Sequence, residues 1–251
     1  MLIAEHLLAA YDAERPSAKV APSGFTELDS LTGGMVPGRV WLLLGVPGEG
    51  RTTLMTQWAA AVAGEPGQTV HLVTPREAPW VIVSRLLSLT GLLPLDRLNE
   101  GSLDDSHQGK LGRAREKVQA LSLCLYAQGE DVYVPEVHPG HAAMKPTAVL
   151  IDDADRVAGL TPTSLAAYAA AGLFVLISLP RHHVIGEDGD LDSTWARVAD
   201  VVLEVRHRGL PTGDQRPGEA DLHIHNNRWG PTRTIPTLYQ AHFSRFVDSA
   251  S

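Results

Sequence analysis

Residues 45–52 read Gly45-Val46-Pro47-Gly48-Glu49-Gly50-Arg51-Thr52. This is the spacing of a phosphate-binding loop, G-x-x-x-x-G-K-[ST], with Arg51 at the lysine position. In such a loop, successive backbone N–H groups and the N-terminus of the following helix converge on a polyphosphate. The candidate nucleotide-binding residues are Gly45, Pro47, Gly48, Glu49, Gly50, Arg51, Thr52 and Thr53, with the Thr52 hydroxyl placed to ligate Mg²⁺. A second constellation follows a hundred residues later, where the apolar run Thr147-Ala148-Val149-Leu150-Ile151 ends in Asp152-Asp153-Ala154-Asp155. An aspartate at the tip of a buried strand is the usual second holder of the Mg²⁺ shell in a nucleoside triphosphatase. Asp152 is that candidate, and Asp153 either assists the metal or caps the loop. The two motifs together imply ATP and Mg²⁺ as cofactors.

Arg51 divides the expectation. Of the 21 basic residues only Lys19, Lys110, Lys117 and Lys145 are lysines, so arginine is this chain's habitual cation. At this position the two are not equivalent: lysine brings a compact charge to the β and γ phosphates, whereas arginine is longer, planar and forked. Binding is expected to survive the exchange, while retained and impaired turnover both remain open. Outside the loop, Arg228, in Asn226-Asn227-Arg228-Trp229-Gly230, could reach a neighbour's γ-phosphate. Arg181, just past an apolar run, has the same ambiguity. Trp195 with Arg197 offers an aromatic and a cation to a nucleic-acid strand. Residue type alone makes each of these equally a solvated loop side chain. His138 and His141 have metal-like spacing but no partner cluster beside them.

The elements needed to hold these groups are legible around them. Val40-Trp41-Leu42-Leu43-Leu44 reads as a buried strand ahead of the loop, and a helix follows from about Thr52 to Ala63, with Gly64 as its cap. Further strands are expected at 69–73, 123–127, 147–151, 173–178, 201–205 and 221–225, with 234–238 closing the pattern. Helices are expected at about 79–89, at about 102–121 from a capping box of Ser102 and Asp105, and from Thr161-Pro162 to Gly172. Apolar strands alternating with helices predict an α/β fold: a mainly parallel sheet with helices on both faces and an antiparallel C-terminal edge. Nucleotide is then expected at the carboxyl ends of the strands. The domain reading is a short amphipathic helix over residues 1–15, a linker over 16–23, the nucleotide-binding domain over 24–247 and a tail over 248–251. A lone amphipathic helix is not stable by itself, so it must dock on its own domain or on a neighbouring subunit.

Composition narrows the class. The chain has 251 residues, 44% of them hydrophobic, which suffices for one sizeable core. A net charge of −8 argues against broad, non-specific nucleic-acid binding, though not against a local basic channel. A single cysteine, Cys124, excludes an internal disulfide and is expected in the core of a strand. No apolar run reaches the length of a membrane span and no secretory leader is evident, so the protein reads as cytoplasmic.

Two longer stretches carry a resemblance. Ser23-Gly24-Phe25-Thr26-Glu27-Leu28-Asp29-Ser30-Leu31-Thr32-Gly33-Gly34, followed by Pro37-Gly38, resembles the entry to the RecA-like motor domain of DnaB-type replicative helicases. Ala199-Asp200-Val201-Val202-Leu203, Asn227-Arg228-Trp229-Gly230-Pro231-Thr232 and Phe243-Ser244-Arg245-Phe246 resemble that family's late strand and C-terminal end. The resemblance covers about residues 20–247, while Pro47-Gly48 in the loop looks more like RadA or KaiC relatives. It implies a homo-oligomeric ring, commonly a hexamer, with ATP between subunits, the N-terminal helix docked on a neighbour, and ATP-driven movement on single-stranded DNA. By position it makes Thr52 and Asp152 the Mg²⁺ residues and Arg228 the finger acting on the next subunit's nucleotide. Departures accompany it. Arg76 stands where the family has its catalytic glutamate, with Glu77 one residue late. Asn226 replaces a lysine and Leu179 the sensor glutamine. The segment before Leu173 is short, and the domain that recruits primase is absent. Glu77 is the expected water-activating base of any surviving hydrolysis. The function expected is therefore an ATP-binding domain related to DNA helicases of replication, with weak or lost hydrolysis. The alternatives are a non-catalytic nucleotide-binding scaffold or regulator, and a RadA- or KaiC-like ATPase with a protein partner.

Overall fold

The structure, a computed structural model, describes residues 21–127, 145–186, 188–191, 193–207 and 218–249. The N-terminal helix expected at residues 2–13, His138, His141 and the turn-rich segment 209–217 lie outside the described residues. In chain order the elements are α1 (Thr26–Thr32), β1 (Val40–Gly45), α2 (Arg51–Ala63), β2 (Val70–Thr74), α3 (Pro79–Gly91), α4 (Leu95–Glu100), α5 (Asp105–Gln119), β3 (Leu123–Ala127) and β4 (Ala148–Ile151). They continue with α6 (Pro162–Ala170), β5 (Phe174–Pro180), α7 (Thr194–Val198), β6 (Val201–His207), β7 (Glu219–Asn227), β8 (Thr234–Gln240) and β9 (Arg245–Asp248).

These strands make one sheet in the order β3-β2-β4-β5-β1-β6-β7-β8-β9. It is parallel from β3 to β6 and antiparallel from β6 to β9. β1 runs near the middle, flanked by β5 and β6, and all six of its residues are buried. A strand covered on both faces must be apolar throughout, which is why it reads as a continuous run rather than an alternation. Its side chains divide between two cores. Trp41 and Leu43 join Leu54, Trp58, Leu150 and Phe174 on one face; Leu42 and Leu44 join Ile151, Leu165, Ile177 and Val202 on the other. On the first face Phe25, Trp58, Trp41 and Phe174 meet edge-to-face in sequence, with ring centroids 6.4, 6.2 and 5.5 Å apart. This arrangement adds to plain area burial and fastens α1 and α2 to the strand that carries the loop.

Several expectations are corrected. The helix expected over 102–121 is α5, Asp105–Gln119, and the short α4 ahead of it, unforeseen, is closed by Gly101, in the left-handed region at φ 67°. Ser102 does not form a capping box; its hydroxyl donates to Glu100, while Asp104 accepts from Ser106. At Thr161 a capping box does form, with Ser164 as its other half. Residue 238 does not close the sheet, because β8 turns through Ala241–Phe243 into β9, which pairs with it through Tyr239 and Phe246. Cys124 lies half-buried on the outermost strand β3 rather than in the core.

Candidate nucleotide-binding site

The loop leaves the buried end of β1 and delivers Gly50, at φ 93°, to the start of α2. A β-carbon on Gly50 would lie 2.7 Å from the Phe246 ring, so position 50 excludes a side chain through both its conformation and its surroundings. Gly45 is a spacing residue: a β-carbon there would meet Val205 at 2.9 Å and Arg51 at 3.1 Å. Glu49 belongs to the loop, but its buried carboxylate turns away from the ligand side. It accepts from the Val46 N–H at 2.8 Å and the His207 N–H at 3.4 Å, and burial pushes its carboxyl up. Glu49 therefore braces the loop against β6.

Beside the loop is a cavity of about 270 Å³ lined by Val46, Pro47, Gly48, Gly50, Arg51, Thr52, Thr53, Arg76, Glu77, Arg85, Asp153 and Tyr239. Thr52, at the start of α2, donates its hydroxyl to Asp152 Oδ2 at 2.6 Å, joining the two motifs across a hundred residues of sequence. Ser178 of β5, the strand between β1 and β4, donates to the other oxygen of Asp152 and accepts from the Asp153 N–H at 3.0 Å. Asp152 is 2% exposed, and burial pushes its carboxyl up against the opposing hydrogen bonds of Ser178 and Thr52. A proton and a cation therefore compete for it. Ser178 was missed from the sequence. Leu179, which stands where the resemblance expects a sensor glutamine, is fully buried in the second core, and the polar group facing the acids comes one residue earlier.

The basic side of the cavity holds three guanidiniums. Arg51 Nη2 meets Asp153 Oδ1 at 3.0 Å and Arg76 Nη1 meets Asp153 Oδ2 at 3.6 Å. Arg85, on α3, donates to the hydroxyls of Thr53 at 3.2 Å and Ser244 at 3.4 Å. Arg51 Nη1 and Arg85 Nε are buried with no hydrogen-bond partner among the described residues. Buried donors normally find an acceptor, so two unmet donors on cavity-lining arginines fit an anionic ligand. Phosphate oxygens are the acceptors that suit them and the loop N–H groups alike. Thr52 and Asp152 would hold Mg²⁺ against those oxygens. Tyr239, also missed from the sequence, borders the same cavity and stacks on Phe246 with centroids 4.4 Å apart, giving a flat apolar surface for a base or ribose. Glu77 and Arg76 both line the cavity.

Arg228 is not brought to this cavity. Its backbone N–H and Nη1 both bond Asp200, whose other oxygen accepts from the N–H of Val40, the first residue of β1. The loop leaves from the opposite end of that strand, so Arg228 lies roughly 16 Å from it at the rise of a β-strand. Its side chain is 72% exposed. Next to it the half-exposed Trp229 lies under the Arg39 guanidinium at 4.4 Å. Arg181 is bound to Glu204 at 2.9 Å, Trp195 packs partly against the second core, and Arg197 beside it is exposed.

The comparisons agree with this geometry. Residues 21–144 match the family model for the DnaB-like helicase C terminal domain. The replicative DNA helicase DnaB of Leifsonia xyli subsp. xyli (strain CTCB07) is 25% identical over 260 residues, covering 91% of this chain and 56% of that protein. The chain thus spans just over half the length of this relative. Among solved structures, a DnaB-like replicative helicase studied with its primase interactions superposes with a TM-score of 0.80 at 17% identity, over 99% of this chain and 67% of that one. A second solved structure, an isolated ATPase domain, superposes with a TM-score of 0.78 at 18% identity, over 98% of both chains. Among the described residues no helix is long and apolar enough to cross a membrane. Residues 21–144 are thus similar to the C-terminal domain of DnaB-like helicases, and the fold is shared with such domains over nearly the whole chain.

Proposed function

We propose that this domain binds ATP with Mg²⁺ in the cavity beside residues 45–53, as a subunit related to replicative DNA helicases, and that its hydrolysis is weak or lost. The observation that carries the reading is the pairing of Thr52 with Asp152 at 2.6 Å beside the unmet donor of Arg51: a metal-holding pair and a phosphate-holding cation converge on one cavity. Bound Mg²⁺ would neutralise charge on the β and γ phosphates. The chain's own groups orient the nucleotide: loop N–H groups and Arg51 on the phosphates, Arg85 beside Thr53, and Tyr239 toward the base.

The weak step is water activation. Arg76 occupies the place that the resemblance gives to a catalytic carboxylate, which leaves Glu77 as the acid available on that loop. A cation there stabilises bound phosphate but takes no proton from water, and loss of one oriented group commonly costs roughly 10²–10³ in rate. The arrangement therefore favours binding over turnover. Arg228, far from its own cavity and exposed, supports action on a second copy of the chain in a ring. Movement on single-stranded DNA in the cytoplasm is the wider role this reading assigns. The specific observation behind the second reading, a nucleotide-binding scaffold without catalysis, is the same Arg76–Asp153 contact.

The test is steady-state ATP turnover by the purified protein, with and without single-stranded DNA, beside an Arg51→Ala control and a binding titration with fluorescent ATP. Expected are binding that Arg51→Ala loses and slow turnover. DNA-stimulated turnover at rates ordinary for a motor would overturn the weakened-hydrolysis reading, and absence of binding would overturn the nucleotide site itself.

A further inference from the structure

We infer that Arg51 and Asp153 act as one unit that replaces the loop lysine: Asp153 is a positioning residue that fixes Arg51 so that one guanidinium nitrogen faces the ligand. The inference rests on the nucleotide reading above and concerns how this chain holds phosphate with the wrong cation. A lysine ammonium is compact and satisfies a phosphate without any second anchor. A guanidinium in the same place is too long and too broad unless it is held sideways.

The structure shows such a hold. Arg51 is 8% exposed and Asp153 7%. Nη2 is fixed on Asp153 Oδ1 at 3.0 Å, and Nη1, on the other fork, is buried and unmet. The fork is thus divided between a protein acceptor and a missing one. Asp153 is itself held from several sides. Its backbone sits at φ 46°, a left-handed conformation that aspartate tolerates better than most residues, and its N–H is held by Ser178. Its second oxygen faces Arg76 at 3.6 Å. A carboxylate with its backbone fixed and a cation on either side cannot swing to follow Arg51, so Arg51 must come to it.

Three consequences distinguish this unit from a simple exchange of one cation for another. Restoring the template lysine should harm the site, because a lysine at position 51 cannot both reach Asp153 and serve a phosphate, and a buried carboxylate then loses its closest partner. Shortening Asp153 should harm it too, because the guanidinium loses its orientation. Making both changes together should repair much of the damage, because a lysine without a competing carboxylate is the template arrangement.

The experiment is a double-mutant cycle on the full chain: wild type, Arg51→Lys, Asp153→Ser and the double variant. Dissociation constants for a fluorescent ATP analogue with Mg²⁺ are measured, alongside melting temperatures without nucleotide to report folding. Expected are a loss of roughly tenfold or more for each single variant and a double variant that binds more tightly than either. Arg51→Lys binding as well as wild type, or losses that simply multiply in the double variant, would overturn the unit and leave the nucleotide reading standing. Wild type that fails to bind the analogue would remove both. If Asp153→Ser no longer melts cooperatively, it is replaced by its conservative counterpart, Asp153→Asn. This keeps the side-chain shape, so the cycle still decides.

Discussion

At the scale of single residues, a buried charge is matched by opposite charges around it, and the middle of β6 shows it. Glu204 is 3% exposed and receives Arg181 at 2.9 Å, Arg206 at 2.6 Å and His225 at 2.6 Å. Burial alone would push its carboxyl up, but the hydrogen bonds from His225 and Arg206 outweigh it and hold the group down to about 2 from an ordinary 4.5. A carboxyl lowered on folding contributes stability that is present above its unfolded value and lost as pH falls through its folded value. The window is therefore from about pH 4.5 down to about pH 2, and the contribution is on the order of 3 kcal/mol. Glu204→Gln keeps the shape and removes the charge. Its unfolding free energy, followed by urea titration at a series of pH values, is expected to lose that part of the acid dependence while remaining below wild type at neutral pH. An acid limb identical to that of wild type would contradict the pairing. The phosphate motif and Asp152 were legible in the sequence because each is a run of neighbours with a fixed spacing. Ser178, Tyr239 and the Arg51–Asp153 contact were not, because they join strands that only the sheet order brings together. No local pattern marks a serine that will face an acid from the next strand.

At the scale of elements, the strands that read best were those buried on both faces, since continuous apolar composition is what such burial demands. β9 and α4 escaped notice for the complementary reason. β9 is four residues with one fully buried member, Phe246, and α4 is six residues with no buried member, so it has little periodicity to report. β9 nevertheless matters to the site. It supplies Phe246, which fills the space over Gly50 and supports Tyr239, while Gln57 of α2 bonds the Phe246 backbone in both directions at 2.9 and 2.8 Å. The last strand is thus a brace for the loop. Gly50→Ala places a methyl group against that ring in a left-handed backbone, at a cost of roughly 1–3 kcal/mol. It is expected to lower the melting temperature and to weaken binding of a fluorescent ATP analogue. Unchanged melting and unchanged binding would show that loop and brace are independent.

At the scale of the whole molecule, the loop and Arg228 occupy opposite ends of the sheet. If the arginine acts on nucleotide, it does so in another copy, and neither defect need be fatal in company. Arg51→Ala spoils one side of a contact and Arg228→Ala the other. Mixed, the two variants re-create intact contacts wherever an unaltered loop meets an unaltered arginine. Turnover per molecule is then expected to exceed that of either variant alone and to stay below wild type. A mixture no better than its parts would count against action between copies. The path between the two ends is short and continuous. Asp200 grips Arg228 with one oxygen and the first amide of β1 with the other, and β1 runs unbroken into the loop. A pull on Arg228 is therefore carried along a strand whose bonds to β5 and β6 are loaded sideways, all at once, the direction in which a sheet yields least. In mechanical terms the loop and the Asp200 grip on Arg228 sit at the two ends of one stiff tie rod, β1.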